Sequence, residues 1–169
     1  FYKTLCIQQM VNGKQQALRI SVDGSSISGM YPLGQEILDV LASKNVGNLI
    51  SAVDYPTGTV QVKLSEGGIP QYDIMTDVAW DNIPFTDELA ALAKQTKAVC
   101  WGSLAQRSVV SRNTICKFIA AMPFDSIKVF DINLRQSFYT RGIIENSFRM
   151  CDILKINDEE LCLISKMIK

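Results

Sequence analysis

Residues 97–157 read KAVCWGSLAQRSVVSRNTICKFIAAMPFDSIKVFDINLRQSFYTRGIIENSFRMCDILKIN, and their rhythm decides the fold. KAVCWGS (97–103), IKVFD (127–131) and DILKI (152–156) are short apolar runs of strand length. Between the first two, Ile115, Phe118, Ile119 and Met122 fall at i, i+3, i+4 and i+7, the spacing of one helical face, with Ser111 as the expected cap. RGIIENSFRMC (141–151) supplies the next helix. Strands separated by helices of about ten residues predict right-handed crossovers and a parallel sheet covered on both faces.

Working outward, Thr86 is a plausible N-cap, with Asp87 and Glu88 in the first turn, where carboxylates favour the helix dipole. At the other end Asn157 opens a final helix carrying Leu161 and Ile164. Upstream the character changes. LISAV (49–53), TGTVQVKL (57–64) and IPQYDI (69–74) are extended and rich in β-branched residues, with Gly58 and the Glu66-Gly67-Gly68 turn as punctuation. They predict a small antiparallel unit with one face wet or covered by a partner. Residues 33–43 offer Ile37, Val40 and Leu41 at helical spacing, and ALRISV (17–22) reads as a short strand before a turn-rich DGSSISG. The first 15 residues carry no clear pattern. The class is α/β with an inserted β element.

The chain has 169 residues, 17 Lys+Arg against 17 Asp+Glu, and no histidine. Without His there is no Ser-His-Asp or Cys-His nucleophile pair, no HExxH zinc site and no imidazole base. Chemistry here must rest on carboxylates, amides, Lys, Arg and backbone dipoles. Balanced, scattered charge gives no electrostatic case for a nucleic-acid or membrane-surface partner. Five cysteines, an odd number with no CxxC pair, suit a reducing compartment. No apolar run approaches the roughly 20 residues of a spanning helix, so a soluble cytoplasmic protein is expected.

In open α/β sheets, ligands sit beyond the carboxyl ends of the strands. Here those ends carry Ser103 after AVCWG, then Asp131, Asn133 and Arg135 after IKVF, then Asn157 and Glu160 after DILKI. Asp131-x-Asn133-x-Arg135 would point one way if extended, and could hold a polyol or a phosphate. A strand-end Asp bound to loop backbone with a solvated Arg135 is the alternative. Asn157-x-x-Glu160 has the spacing of a capping box, which is compatible with a place beside phosphates and hydrated Mg²⁺. Lys155 interrupts an apolar strand, facing the crevice or lying at its edge. WDNIPF (80–85) reads as a core-packed hinge or a stacking platform. Neither a Walker A loop nor GxGxxG is present.

GTVQVKLSEGGIPQYDI, VAWDNIPFTDELAALA, CWGSLAQRSVVSRNTI, VFDINLRQSFYT and ILKINDEEL, in this order, resemble the ribokinase-type (PfkB) carbohydrate kinases, most closely the fructokinase-like bacterial sugar kinases. The resemblance runs from about Ala17 to Lys169. It implies a partial ribokinase-like, Rossmann-type three-layer α/β/α core with a small β-sheet lid. The division it implies is a partial start of the core (1–48), lid strands (49–76) and the rest of the core (77–169). It further implies transfer of a phosphoryl group from ATP to a sugar hydroxyl, with Mg²⁺.

By the same resemblance Asp131, Asn133 and Arg135 match a D-x-N-x-R block beside sugar and phosphate, and Ser103 borders that cleft. Asn157 and Glu160 match an N-x-x-E block associated with Mg²⁺ and the ATP phosphates, Glu160 meeting the metal through water, with Lys155 beside them. Lid strands in such kinases cover the sugar and often carry homodimer contacts. The family's opening strand, with its sugar-binding Asp, glycine pair and Asn, has no counterpart here. Residues 1–13 occupy the place of the helix after that glycine pair, and GSSISGMYP (24–32) interrupts a block that is shorter in relatives. The G-A-G-D block with the catalytic Asp base would lie beyond Lys169. The expectation is therefore a fragment truncated at both ends and inactive alone, with an uncovered sheet edge that makes it poorly soluble or oligomeric. The alternative is a non-catalytic relic serving as a lid-mediated dimerisation or sugar-binding module.

Overall fold

The structure is a computed structural model that describes residues 6–11, 14–19, 22–23, 32–64 and 70–168. Five strands form the central sheet in the order β2 (Lys14–Arg19), β1 (Cys6–Val11), β7 (Ala98–Gly102), β8 (Ile127–Asp131), β9 (Ile153–Lys155). The strands β7, β8 and β9 are parallel, as the alternation of apolar runs and helices requires, and β1 joins β7 antiparallel. Two of the connections are the helices α3 (Val109–Ala121) and α4 (Arg141–Met150). They are neighbours, since Ser147 and Asn146 of α4 meet Gln106 and Cys116.

The core lies where these elements meet. Trp101 of β7 stacks on Phe130 of β8 at 5.6 Å between ring centres, and Phe148 of α4 meets Phe130 edge-on. The expected stripe Ile115, Phe118, Ile119 and Met122 is buried against them, with Leu89 and Ala93 of α2 (Asp87–Ala93) and Ile164 of α5 (Asp158–Ile168). Leu161 faces out instead. Thr86 caps α2 by accepting the Leu89 N–H. The α3 cap is Ser108, whose hydroxyl accepts the Val110 N–H, and not Ser111. Ser111 lies a few residues further in, fully buried, where its Oγ accepts the Ile83 N–H and donates to the Trp80 carbonyl. Its hydroxyl satisfies the backbone of WDNIPF, which explains why a polar residue sits on the buried face.

Outside the sheet, α1 (Pro32–Ser43) forms as the spacing predicts. The strands β5 (Val60–Leu64) and β6 (Pro70–Ile74) form an antiparallel hairpin, but the first of the three extended segments does not join it. That segment yields β4 (Ala52–Val53), paired in parallel with β3 (Val22–Asp23). Of the expected strand 17–22, residues 17–19 belong to β2 and residue 22 to β3, and residues 20 and 21 lie outside the described residues. The turns expected at 23–29 and 66–68, and the interruption at 24–32, lie largely outside the described residues.

The opening segment is a second difference, since residues 6–11 are strand and not helix. The strand β1 pairs with β2 so that Val11 faces Lys14, and the two residues between them in sequence are Asn12-Gly13, the dipeptide that suits a two-residue hairpin. Two rows of ladder hydrogen bonds, to β2 and to β7, outweigh the weak local preference of CIQQMV.

Candidate functional site

The parallel register brings Gly102, Asp131 and Lys155 side by side at the carboxyl ends of β7, β8 and β9. A Cβ at position 102 would stand 3.2 Å from the Asp131 carbonyl oxygen, so the small residue keeps this row closely spaced. Lys155 Nζ donates to Asp131 Oδ2 at 2.7 Å. That hydrogen bond, and secondarily the Asp131 charge, push the ammonium pKa up from the ordinary 10.5. Lys155 therefore stands beside Asp131 in the strand-end row on the edge strand β9, with most of its side chain in water.

The chain then leaves the sheet. The Ile132 N–H donates to the Lys155 carbonyl, and Asn133 turns left-handed at φ 40°. This ends the extended run, so Asp131, Asn133 and Arg135 do not line one face as alternate strand positions would. Asn tolerates that backbone region better than most residues. Its carbonyl accepts the hydroxyl of Ser103, which is fully buried. Arg135 folds back so that Nη1 donates to the Leu134 carbonyl at 2.8 Å.

The capping box expected at the start of α5 is present. Asn157 Oδ1 accepts the Glu160 N–H at 2.8 Å, and Glu160 Oε2 accepts the Asn157 N–H at 3.1 Å. Glu160 does more than cap, because Oε1 also accepts the Leu134 N–H at 2.8 Å, across 26 residues. It is buried, and its carboxylate joins α5 to the loop after β8. Ser103, Asn133, Leu134, Asn157 and Glu160 thus form one connected group, with the Asp131–Lys155 pair alongside.

Glu160 has both oxygens engaged by backbone N–H groups, and among the described residues no three His, Cys, Asp or Glu side chains gather as metal ligands. This donor set does not fit a metal ion held directly by the chain. Phosphate faces a mixed field. Lys155 and Arg135 are cations, but Asp158, Glu159 and Glu160 crowd the first turn of α5, where they stabilise the helix and oppose an anion.

Two residues that spacing alone did not single out hold the surroundings together. Arg107, four residues past Ser103, makes a bidentate pair with Asp81, Nε to Oδ1 at 2.8 Å and Nη2 to Oδ2 at 2.7 Å. The guanidinium lies 4.4 Å from the centre of the Phe138 ring and 5.9 Å from that of Trp80. Trp80 is buried with Ile74 and Val78, so WDNIPF is a core-packed segment and not an open stacking platform. Gln136 donates from Nε2 to the Tyr72 carbonyl of β6 at 2.5 Å. Neither pairing leaves a mark in sequence spacing, since the partners are 26 and 64 residues apart.

No family model matches the chain. It is 30% identical over 154 residues to a sugar kinase of Pyrococcus horikoshii, covering 85% of this chain and 49% of that protein. The crystal structure of that uncharacterized sugar kinase superposes with a TM-score of 0.70 over 88% of this chain and 50% of the other, at 26% identity. Its complex with ATP gives 0.68. The fructokinase of Xylella fastidiosa shares the fold at a TM-score of 0.70 and 13% identity, over 98% of this chain and 60% of that one. The chain spans about half the length of the curated relative it matches. The parallel β7-β8-β9 arrangement and these likenesses agree on a ribokinase-like α/β fold, and the chain is similar to about half of a sugar kinase.

Proposed function

We propose that this chain carries the phosphate- and sugar-facing part of an ATP-dependent, fructokinase-like carbohydrate kinase. The observation that carries this reading is the strand-end row of Gly102, Asp131 and Lys155 beside the Glu160-centred loop, in a chain similar to half of a sugar kinase. Phosphoryl transfer is catalysed mostly by positioning and by charge placed where charge develops. In this reading Lys155 and Arg135 face ATP phosphate oxygens, while Asn133, Asp131 and Ser103 border the sugar. The Asn157–Glu160 box holds the loop in place. Glu160, with both oxygens engaged by backbone N–H groups, would reach a nucleotide-borne Mg²⁺ only through water. The hairpin β5–β6 is the lid over the sugar. Such a kinase works where ATP is made available, in the cytoplasm.

The chain alone is not competent in this proposal. A general base must be unengaged and within reach of the sugar hydroxyl. Asp131 is paired with Lys155, and both Glu160 oxygens accept backbone N–H groups. Calorimetric titration with ATP and Mg²⁺ should show binding that Lys155→Ala weakens, and a coupled assay over a panel of hexoses and pentoses should show no sugar-dependent ADP. Sugar-dependent ADP formation lost on Asn157→Ala would overturn the proposed incompetence, and absence of ATP binding would overturn the kinase reading.

One observation favours the second reading, a module that dimerises through the hairpin. Val62 and Tyr72 face each other across β5 and β6, and both are exposed. An apolar cross-strand pair in water is a natural contact surface.

A further inference from the structure

The loop 132–140 joins β8 to α4 and holds two non-glycine residues in the left-handed region, Asn133 at φ 40° and Gln136 at φ 46°. Asn is frequent there, but a glutamine is not, and such a residue persists when its surroundings over-determine it. For Gln136 that surrounding is the hairpin: its Nε2 donates to the Tyr72 carbonyl in the middle of β6. Two residues on, Phe138 packs against the cluster of Ile74, Val78 and Trp80 at the exit of the same strand, and its N–H closes the turn on the Arg135 carbonyl. Beneath Phe138, Arg107 donates from Nη2 to the Met75 carbonyl.

The hairpin needs these tethers. Among the described residues, β5 and β6 pair only with each other, and a two-stranded hairpin by itself is marginal in water. The loop is as firmly held on its other side, through Ser103 to the Asn133 carbonyl and Glu160 to the Leu134 N–H. This short loop therefore links the strand-end group to the hairpin, and among the described residues its direct hydrogen bond to β6 is made by Gln136.

We infer that Gln136 is a positioning residue that latches the loop bearing Asn133 and Arg135 to the hairpin, so that the two open together and a ligand at the loop is sensed at β6. The ligand half of this inference rests on the kinase reading; the latch does not.

Hydrogen–deuterium exchange on the 169-residue chain tests both, with ATP and Mg²⁺ as the probe. Gln136→Glu keeps the size but presents no N–H donor at neutral pH, and Gln136→Lys restores one. Without ligand, the Glu variant should exchange roughly fivefold faster at residues 71–74, the weight of about one hydrogen bond, and the Lys variant should return toward the parent. With ATP, the parent should slow at 134–138 and at 71–74. The Glu variant should slow only at 134–138, a loss of coupling that plain destabilisation of the hairpin would not produce. Unchanged ligand-free exchange at 71–74 in the Glu variant would overturn the latch, as would equal ATP protection of 71–74 in parent and variant. If ATP slows no segment of the parent, the kinase reading and the ligand half fall together, and the latch stands or falls on the ligand-free comparison.

Discussion

The carboxylate of Glu160, in the first turn of α5, accepts the backbone N–H of Leu134 at 2.8 Å and thereby fastens that helix to the loop that leaves β8. The same carboxylate accepts the Asn157 N–H, so one buried side chain satisfies two backbone donors on different elements. Removing it leaves both without an acceptor. Glu160→Ala should lower the unfolding free energy by about 3 kcal/mol, and Glu160→Gln, which keeps one carbonyl oxygen, by about half as much. Asn157→Ala, which loses only the cap, should cost about 1 kcal/mol. Urea denaturation of the three variants checks this order, and equal costs for Glu160→Ala and Asn157→Ala would show that the link to Leu134 contributes nothing.

Lys155 and Asp131 separate binding from stability. The pair is solvent-exposed on the Lys155 side, so Lys155→Ala should change stability by less than about 0.5 kcal/mol. On the kinase reading proposed above, the same variant should also weaken ATP binding. A folded-state pKa above the ordinary lysine value of 10.5 means the pair's contribution is fully present below that value and disappears as pH rises through the folded one. In Asp131→Asn the Lys155 ammonium should titrate at lower pH, observable by NMR of its side-chain carbons. An unchanged titration would show that Asp131 does not hold it.

Arg107 and Asp81 are both more than nine-tenths buried in side chain. Truncating either strands a charge among apolar neighbours, so Arg107→Ala and Asp81→Ala should each destabilise by about 3–5 kcal/mol. Arg107→Lys should recover little, because an ammonium cannot reproduce the two-pronged bond or the stacking on Phe138. Chemical denaturation showing near-parent stability for the Lys variant would refute the importance of the planar fork.

Gly58 lies against the Trp80 indole, and a Cβ there would overlap the six-membered ring. Gly58→Ala should therefore displace the indole and cost about 1–3 kcal/mol, with a change in tryptophan fluorescence. Combining it with Trp80→Leu should cost less than the sum of the two changes.

At the sheet edge, β9 exposes Ile153 and Leu154 on successive positions, hence on both faces. An edge strand of this kind is prone to pair with another chain. The 169-residue chain should self-associate in sedimentation velocity experiments, and Ile153→Lys should shift it toward monomer. A compact monomer at all concentrations would contradict this.

The α/β class and the order of strand and helix from Thr86 onward were legible because apolar periodicity is a local property of the chain. The stripe Ile115, Phe118, Ile119 and Met122 and the box Asn157 to Glu160 are patterns within eight residues, and both formed as read. The opening hairpin was legible in principle through Asn12-Gly13, yet CIQQMV carries too weak an alternation to announce a strand without the neighbour β7.

Sequence by itself thus determined which segments are strands and helices in the second half, and which polar residues stand at the strand ends. Tertiary structure alone decided what those residues do. It turned Asn133 left-handed and so broke the apparent Asp131, Asn133, Arg135 row, and it gave Glu160 a second partner in Leu134. It also paired Arg107 with Asp81 and Gln136 with Tyr72. The physical reason is geometric. A donor and an acceptor pair where the fold brings them within about 3 Å, whether buried as Arg107 and Asp81 are or exposed as Gln136 and Tyr72 are, and sequence distance does not enter that condition.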